Sequence, residues 1–392
     1  MYLTKEEEKM LSGEYGLAIQ KAMQLLVAIG DIFEAEYLIN IESAQISGVS
    51  YNNIGDAGLE FLEEFSNLNA KVVVKSTLNP CGMDLDRWKE MGIDREYYEK
   101  QMRIIKAFEK MGIEISCTCT PYFVGNIPKS GSHIAWSESS AVVFANSVLN
   151  ARTNREGGPS ALASAIIGKT PYYGLHKDEN RLPNFLVKIE TDLKTDLDFS
   201  LLGYTIGRLI PSSIPYISGL KNYNIDKLKA ISAALATSGG ISLFHFKGKI
   251  KNKLKDKLEK LSIDKKELEI SKEMLSMNNE PDLICIGCPH CSYDEILYLA
   301  KAIKGKRLKK DYGLWIWTSK GVFLRANKYI KILENSGCKV FKDTCMVVYP
   351  INLSGYKHIA SNSCKAVSYV ASISGLKASL IELSDIFNKF FE

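Results

Sequence analysis

Residues 282–303, DLICIGCPHCSYDEILYLAKAI, decide the fold. The opening DLICIG is a short apolar run of the kind that forms a strand buried on both faces. The closing YDEILYLAKAI repeats apolar residues at helical spacing. Between them lies CPHCS, so that three cysteines and a histidine fall within nine positions, 284–292. A strand, a chemically loaded loop and a helix form the repeating unit of a parallel α/β fold.

The unit recurs on either side. LWIWTS (314–319) runs into a helical pattern, KGVFLRANKYIKILENSG (320–337). KVFKDTCMVV (339–348) follows, and KHIASNS (357–363) leads into CKAVSYVASISG (364–375). Near the start, Thr4 and Glu7 predict a capping box, and QKAMQLLVAIGDIF (20–33) predicts a second helix. YLINIESAQI (37–46) reads as a strand ending in the turn-rich loop SGVSYNNIGDAG (47–58). KVVVKSTLNP (71–80) reads the same way, followed by NPCGMD and a helix from near Asp84. A helical pattern over 95–111 leads into IEISCTCTPY (113–122), expected to be a strand ending in cysteines. The expected fold is α/β, with three-layer α/β/α lobes and mainly parallel sheets around a central cleft. Polar SMNNEPD (276–282) marks a lobe boundary, giving lobes 1–275 and 276–392.

At 392 residues, 46% hydrophobic and 24% charged, the composition is that of a soluble globular protein. No apolar run reaches the roughly 18 residues of a membrane span. MYLTKEEEKML has no basic n-region or apolar h-region, which points to the cytoplasm and to no membrane partner. The net charge of +5 is modest. Lysines over 246–274 alternate with acids, as on solvated helices with i,i+4 pairs, and lack the interleaved aromatics of a nucleic-acid surface.

Nine cysteines, an odd number in a chain of this size, argue for metal or catalysis over disulfides. Cys81, Cys119 and Cys288 each fall just after a predicted strand, and Cys345 near the end of another. In open α/β sheets ligands bind beyond these carboxyl ends. A redox pair would use CPHC at a helix N-terminus, but such domains are small and leave about 280 residues unexplained. Structural zinc needs a second pair, and one intervening residue in CTC (117–119) crowds a tetrahedral site. An iron–sulfur cluster held by thiolates from distant loops also fits, with one iron left open as a Lewis acid.

Five ordered stretches carry a resemblance over essentially the whole chain. They are GVSYNNIGDAG, KSTLNPCGMD, GCPHCS, DTCMVVYP and the long CTCTPYFVGNIPKSGSHIAWSESSAVVFANSVLNARTNREGGPSALASAI. Together they resemble aconitase X, a branch of the aconitase superfamily, and more narrowly its archaeal two-subunit form. The resemblance implies dehydration of (R)-5-phosphomevalonate to trans-anhydromevalonate 5-phosphate, within a modified mevalonate pathway. Fused bacterial relatives dehydrate cis-3-hydroxy-L-proline, so another hydroxy acid is the rival substrate. A non-enzymatic zinc or redox protein is the rival class.

The same resemblance implies a 4Fe-4S cluster on Cys119, Cys288 and Cys345, with Cys117 and Cys291 as reserve ligands. Cys291 is expected about one helical turn deeper than Cys288. Cys81 is either a wall of the site or a buried thiol. The implied substrate-binding residues are Gly48, Val49, Ser50, Asn79, Pro80, Glu138, Ser139, Arg152, Arg155, Ser363 and Lys365. Small polar groups and amides at strand ends suit an anion, and guanidinium groups suit carboxylate or phosphate. Either arginine has a structural salt bridge as its plainer role. His290 either orients a ligand or is structural, and the other histidines have no context that singles them out. No residue here reads as the catalytic base. The family carries that base as a serine on a small swivelling domain, which nothing after Phe391 resembles. A separate small subunit is therefore expected, with little or no activity from this chain alone.

Overall fold

The computed structural model describes residues 1–248, 257–277 and 279–392. They form two compact units, Met1–Cys81 with Asp94–Leu182 and Gly82–Ile93 with Pro183–Glu392.

The first unit opens with α1 (Lys5–Ser12), where the Thr4–Glu7 capping box forms as the sequence predicts. Helix α2 (Leu17–Ile32) buries Ala18, Ala22, Leu26 and Gly30, one face at four-residue spacing. The expected strand at 37–46 is two strands, β1 (Leu38–Asn40) and β2 (Ser43–Ile46). The expected loop after it is shorter, because α3 (Tyr51–Asn67) starts inside it and kinks at Gly55, with φ 58°. Only the end of the next apolar run pairs, as β3 (Lys75–Leu78). Helix α4 (Arg95–Lys110) forms as expected. β4 (Ala135–Trp136), α5 (Ser139–Ser147), α6 (Gly158–Ile167) and β5 (Lys169–Pro171) complete the unit. The parallel sheet runs β3-β2-β4, and β1 pairs antiparallel with β5.

Residues 113–120 are not the expected strand. A single bridge joins Glu114 to Thr77. Beyond it the Ser116 hydroxyl accepts from Leu78 N at 2.9 Å, in place of a backbone carbonyl. Cys117 has φ 40°, outside the extended region, so the ladder stops.

In the second unit the helix expected near Asp84 is only a 3-10 turn at Trp88–Met91. The Asp84 carboxylate accepts from Asp86 N and Arg87 N, both at 3.0 Å, and so makes a turn where helix would compete. A three-stranded parallel sheet runs in the order β7-β6-β8, built from β6 (Phe185–Ile189), β7 (Pro215–Ser218) and β8 (Glu259–Ile263). Helices α7 (Asp196–Leu209), α8 (Ile225–Gly239) and α9 (Lys265–Met274) belong to the same region. At Gly203 a Cβ would sit 2.6 Å from Ile231 O, so glycine is needed where α7 approaches α8. Of the lysine-rich 246–274, α9 matches the expected solvated helix and carries a Lys265–Glu269 pair at 3.3 Å. Residues 259–263 are a strand instead, and 249–256 lie outside the described residues.

The C-terminal region is one parallel sheet in the order β11-β10-β9-β12-β13. Its strands are β9 (Leu283–Cys291), β10 (Gly313–Thr318), β11 (Lys339–Lys342), β12 (His358–Ser361) and β13 (Lys377–Leu380). Between and after them come α10 (Tyr293–Ile303), α11 (Lys320–Arg325), α12 (Asn327–Asn335), α13 (Cys364–Tyr369) and α14 (Leu383–Lys389). The pattern at 320–337 breaks into two helices at Ala326, where ψ is 12°. Ile284, Ile286, Leu314, Ile316 and Val340 join a core with Ile296, Leu299, Ile330 and Leu333. The alternate residues Trp315, Trp317 and Phe341 form an aromatic cluster with Tyr349. Apolar cover on both faces is why these strands read as unbroken apolar runs. Among the described residues no helix is long and apolar enough to cross a membrane.

Candidate active site

The Cys288 segment lies within a strand, as a bulge. Ile316 is opposite Ile286 and Thr318 is opposite Cys291, so two steps on β10 span five on β9. Residues 287–290 are thereby pushed out of the ladder. Gly287 permits this: its φ is 108°, and a Cβ there would strike the Trp317 carbonyl. Cys291 then rejoins the ladder, and its carbonyl accepts from Thr318 Oγ1 at 2.7 Å. It is therefore a strand residue, not a residue one helical turn deeper. The helix cap is Ser292, in a capping box with Glu295. Burial pushes the Cys291 thiol well above its ordinary pKa, the opposite of what an active redox pair requires.

His290 is fully buried, and its Nε2 lies 2.8 Å from Thr344 O. A carbonyl can only accept, so Nε2 carries the proton. This bond ties the Cys288 bulge to the turn after β11, where Asp343 has φ 65° and Cys345 follows.

A buried lysine backs each turn. Lys229 Nζ is 3.2 Å from His290 O and 3.2 Å from Asp226 Oδ1, and it also contacts Glu295 Oε2. Ser292 closes the cluster by donating from Oγ to Asp226 at 2.9 Å and from N to Glu295 at 2.7 Å. Burial raises the Glu295 carboxyl to about 7, against the pull of Lys229. Burial works against the Lys229 ammonium too, but Glu295 and Asp226 hold its pKa above the usual lysine value. Lys342 Nζ likewise meets Asp84 at 3.0 Å, Asp86 at 2.6 Å and Asp343 at 3.3 Å. Beside the bulge a cavity of about 30 Å³ is lined by Cys288, Pro289, Lys229, Glu295, Asp196 and Ser363. Ser363 caps α13, and Lys365 lies buried in the first turn of that helix.

In the first unit Thr118 N donates to Leu78 O at 2.9 Å, which puts Cys119 next to the carboxyl end of β3. Cys81 lies three residues past that end and is buried. Asn79 Oδ1 is a buried acceptor for which the described residues supply no donor, and Pro80 beside it is buried. Gly48 has φ 78°, Val49 O accepts from Gln101 Nε2 at 2.8 Å, and Ser50 occupies the N-cap position of α3 without a side-chain cap hydrogen bond. The amides of Tyr51 and Asn52 already donate to Gln101 and to the Tyr97 hydroxyl. Glu138 caps α5, accepting from Ala141 N and Ser140 Oγ at 2.6 Å and from Ser139 Oγ at 3.4 Å. Arg152 pairs with Asp178 and donates to His176 O at 3.1 Å, while Arg155 is exposed.

None of the nine cysteines is in a disulfide and all are buried. Cys288, Cys119 and Cys345 keep 8, 6 and 6% of their surface, against 0–4% for the other six. The three residues named by the motifs thus keep slightly more exposed surface than the other six. Among the described residues no three His, Cys, Asp or Glu side chains form a group arranged to hold a metal ion. Sequence reasoning missed Lys229, Asp226, Lys342 and Asp84. The Ser292–Glu295 capping box was a readable signal, but nothing in the sequence marks a lysine for burial.

Family models for the first, second and third domains of aconitase X match residues 1–179, 183–273 and 281–392. The large subunit of phosphomevalonate dehydratase from Methanocaldococcus jannaschii is 54% identical, over 95% of this chain and 96% of its own length. A cis-3-hydroxy-L-proline dehydratase from Pseudomonas aeruginosa is 33% identical, and the match covers 66% of that longer protein. The crystal structure of holo-form aconitase X from Thermococcus kodakaraensis aligns with a TM-score of 0.91 at 45% identity, covering 100% of both chains.

Proposed function

The chain belongs to the aconitase X family, and from that premise we infer that it is the cluster-bearing large subunit of a hydro-lyase acting on (R)-5-phosphomevalonate. The product is trans-anhydromevalonate 5-phosphate, in a modified mevalonate route to isoprenoids. One observation carries the choice of substrate: identity of 54% over nearly all of a phosphomevalonate dehydratase large subunit, against 33% to the hydroxyproline enzyme.

Cys119, Cys288 and Cys345 are the proposed thiolate ligands of a 4Fe-4S cluster. Their residual exposure and the soft-donor chemistry of three thiolates support the assignment. When bound, the cluster supplies one open iron as a Lewis acid for the departing hydroxyl. The other roles fall to side chains and amides of this chain. Lys365 and the Ser363 hydroxyl suit the phosphate at the start of α13. Asn79 Oδ1, a buried acceptor lacking a donor, suits a substrate hydroxyl. Arg152 and Arg155 suit the carboxylate, together with Glu138, Ser139 and the 48–50 segment as positioning groups, and Pro80 shapes the wall. Proton abstraction is assigned to a serine of a small swivelling subunit, so the working enzyme is a cytoplasmic heteromer; the name of the 54%-identical relative supports a subunit partner.

The test is to offer both substrates to the chain co-expressed anaerobically with the small subunit. Phosphomevalonate is expected to lose water, and cis-3-hydroxy-L-proline is expected to be inert. The reverse preference overturns the assignment.

A further inference from the structure

We propose that Lys229 is a positioning residue that sets the Cys288 thiol relative to the Cys345 thiol through a relay of buried hydrogen bonds. The proposal rests on reading these two cysteines as cluster ligands. The relay starts at Asp226 and Glu295, which fix the Lys229 ammonium between them. From there Nζ reaches His290 O at 3.2 Å. The His290 ring then reaches Thr344 O at 2.8 Å, one residue before Cys345.

Three observations favour this arrangement over an ordinary ion pair between helices. First, residues 287–290 have left the β9–β10 ladder, so the backbone groups of the bulge need partners from elsewhere. Second, the Lys229 ammonium donates to the Glu295 carboxylate and to the bulge carbonyl of His290, while Asp226 Oδ1 stands 3.2 Å away as an ionic contact. Asp226 and Lys229 share one face of α8 at i,i+3, so the donor is aimed before the bulge docks. Third, Lys229 and Glu295 line the same small cavity as Cys288, so the brace and the cysteine share one enclosed space. A helix-to-helix ion pair would need only the carboxylate contacts. The bond to His290 O is the part that positions a turn.

Amide hydrogen exchange on the full-length, metal-free chain tests this, comparing wild type, Lys229→Met and Glu295→Gln. Lys229→Met should speed exchange of peptides covering 287–292 and 343–346 by about tenfold, as for loss of a buried charge-assisted bond. Glu295→Gln, which keeps the donor to His290 O, should leave those peptides slow. If Lys229→Met unfolds the chain, the triple change Asp226→Asn, Lys229→Met, Glu295→Gln removes the stranded charges and should still show the fast turns. Slow turns in either lysine variant, or turns equally fast in Glu295→Gln, overturn the proposal. A second readout follows anaerobic reconstitution with ferrous iron and sulfide. Lys229→Met should bind the cluster with a shifted EPR signal and lose its iron several-fold faster than wild type. An unchanged signal and rate count against the relay. A wild-type chain that takes up no iron and sulfide defeats the functional reading instead, and the exchange result on the metal-free chain still decides whether Lys229 sets the turn.

Discussion

Residues 116–120 in the first unit, with Cys117 and Cys119, and 287–290 in the second, with Cys288, both carry cysteine on backbone outside the sheet ladder, and they are held by different chemistry. The first segment is held by neutral groups. Gln45 Nε2 donates to Thr118 O at 3.1 Å, Ser116 Oγ serves both backbone groups of Leu78, and Thr118 Oγ1 meets Thr120 Oγ1 at 3.1 Å. The second is backed by a buried ammonium with two carboxylates, and the neighbouring turn at 343–345 by another with three. The difference follows from position. The first segment runs beside a strand end whose groups still point toward it, and hydroxyls complete the bonding. The second is extruded between two paired stretches of one strand, so a long side chain from another helix must reach it. Buried ionic braces cost more when one partner is removed, because the surviving partner stays buried and charged.

The largest effect tests whether the two regions share one task. Replacing Cys288, Cys345 or Cys119 singly by serine should lower dehydration by the complex at least about a thousandfold. If Cys119→Ser alone keeps near wild-type turnover, the first unit's thiol has no part in the chemistry. Next comes the contrast in bracing. Lys229→Met and Lys342→Met should each destabilise the second unit by about 3–5 kcal/mol, read from exchange of its slowest amides. Ser116→Ala should cost the first unit only about 1–2 kcal/mol by the same measurement. Equal costs would erase the distinction.

The smallest effect is a pH dependence in the first unit. His176 Nδ1 lies 2.9 Å from His133 Nδ1, and burial holds the His176 pKa down at about 3. A depressed folded-state pKa means that its contribution is fully present above the unfolded value of about 6.5 and is lost as pH falls toward 3. Between pH 6.5 and 5.5 the first unit should lose about 1 kcal/mol, by exchange of its slow amides. His176→Asn should flatten that slope.

The C-terminal sheet was legible because its strands are apolar on both faces and its helices keep a regular spacing. The helix Tyr293–Ile303 follows the quoted pattern residue for residue. Residues 113–120 were misread because alternation there describes a strand, while a serine hydroxyl and one positive φ at Cys117 end the ladder. The helix expected near Asp84 failed because that carboxylate caps a turn and also binds Lys342. Family motifs named the thiols, and the structure adds the geometry behind them. Lys229 was invisible in sequence, since its burial depends on Asp226 one turn away and on Glu295, 66 positions later. The bulge was hidden too: a strand that leaves and rejoins its ladder within five residues looks like a strand followed by a loop.

The central claim is that thiolates of this chain hold an iron–sulfur cluster, and it is tested most directly by purifying the chain without oxygen and measuring iron, acid-labile sulfide, zinc and the EPR spectrum. The account predicts iron and sulfide in equal amounts with a cubane-type signal, lost together in Cys288→Ser and in Cys345→Ser. Stoichiometric zinc without sulfide, or a cluster indifferent to both substitutions, would contradict it.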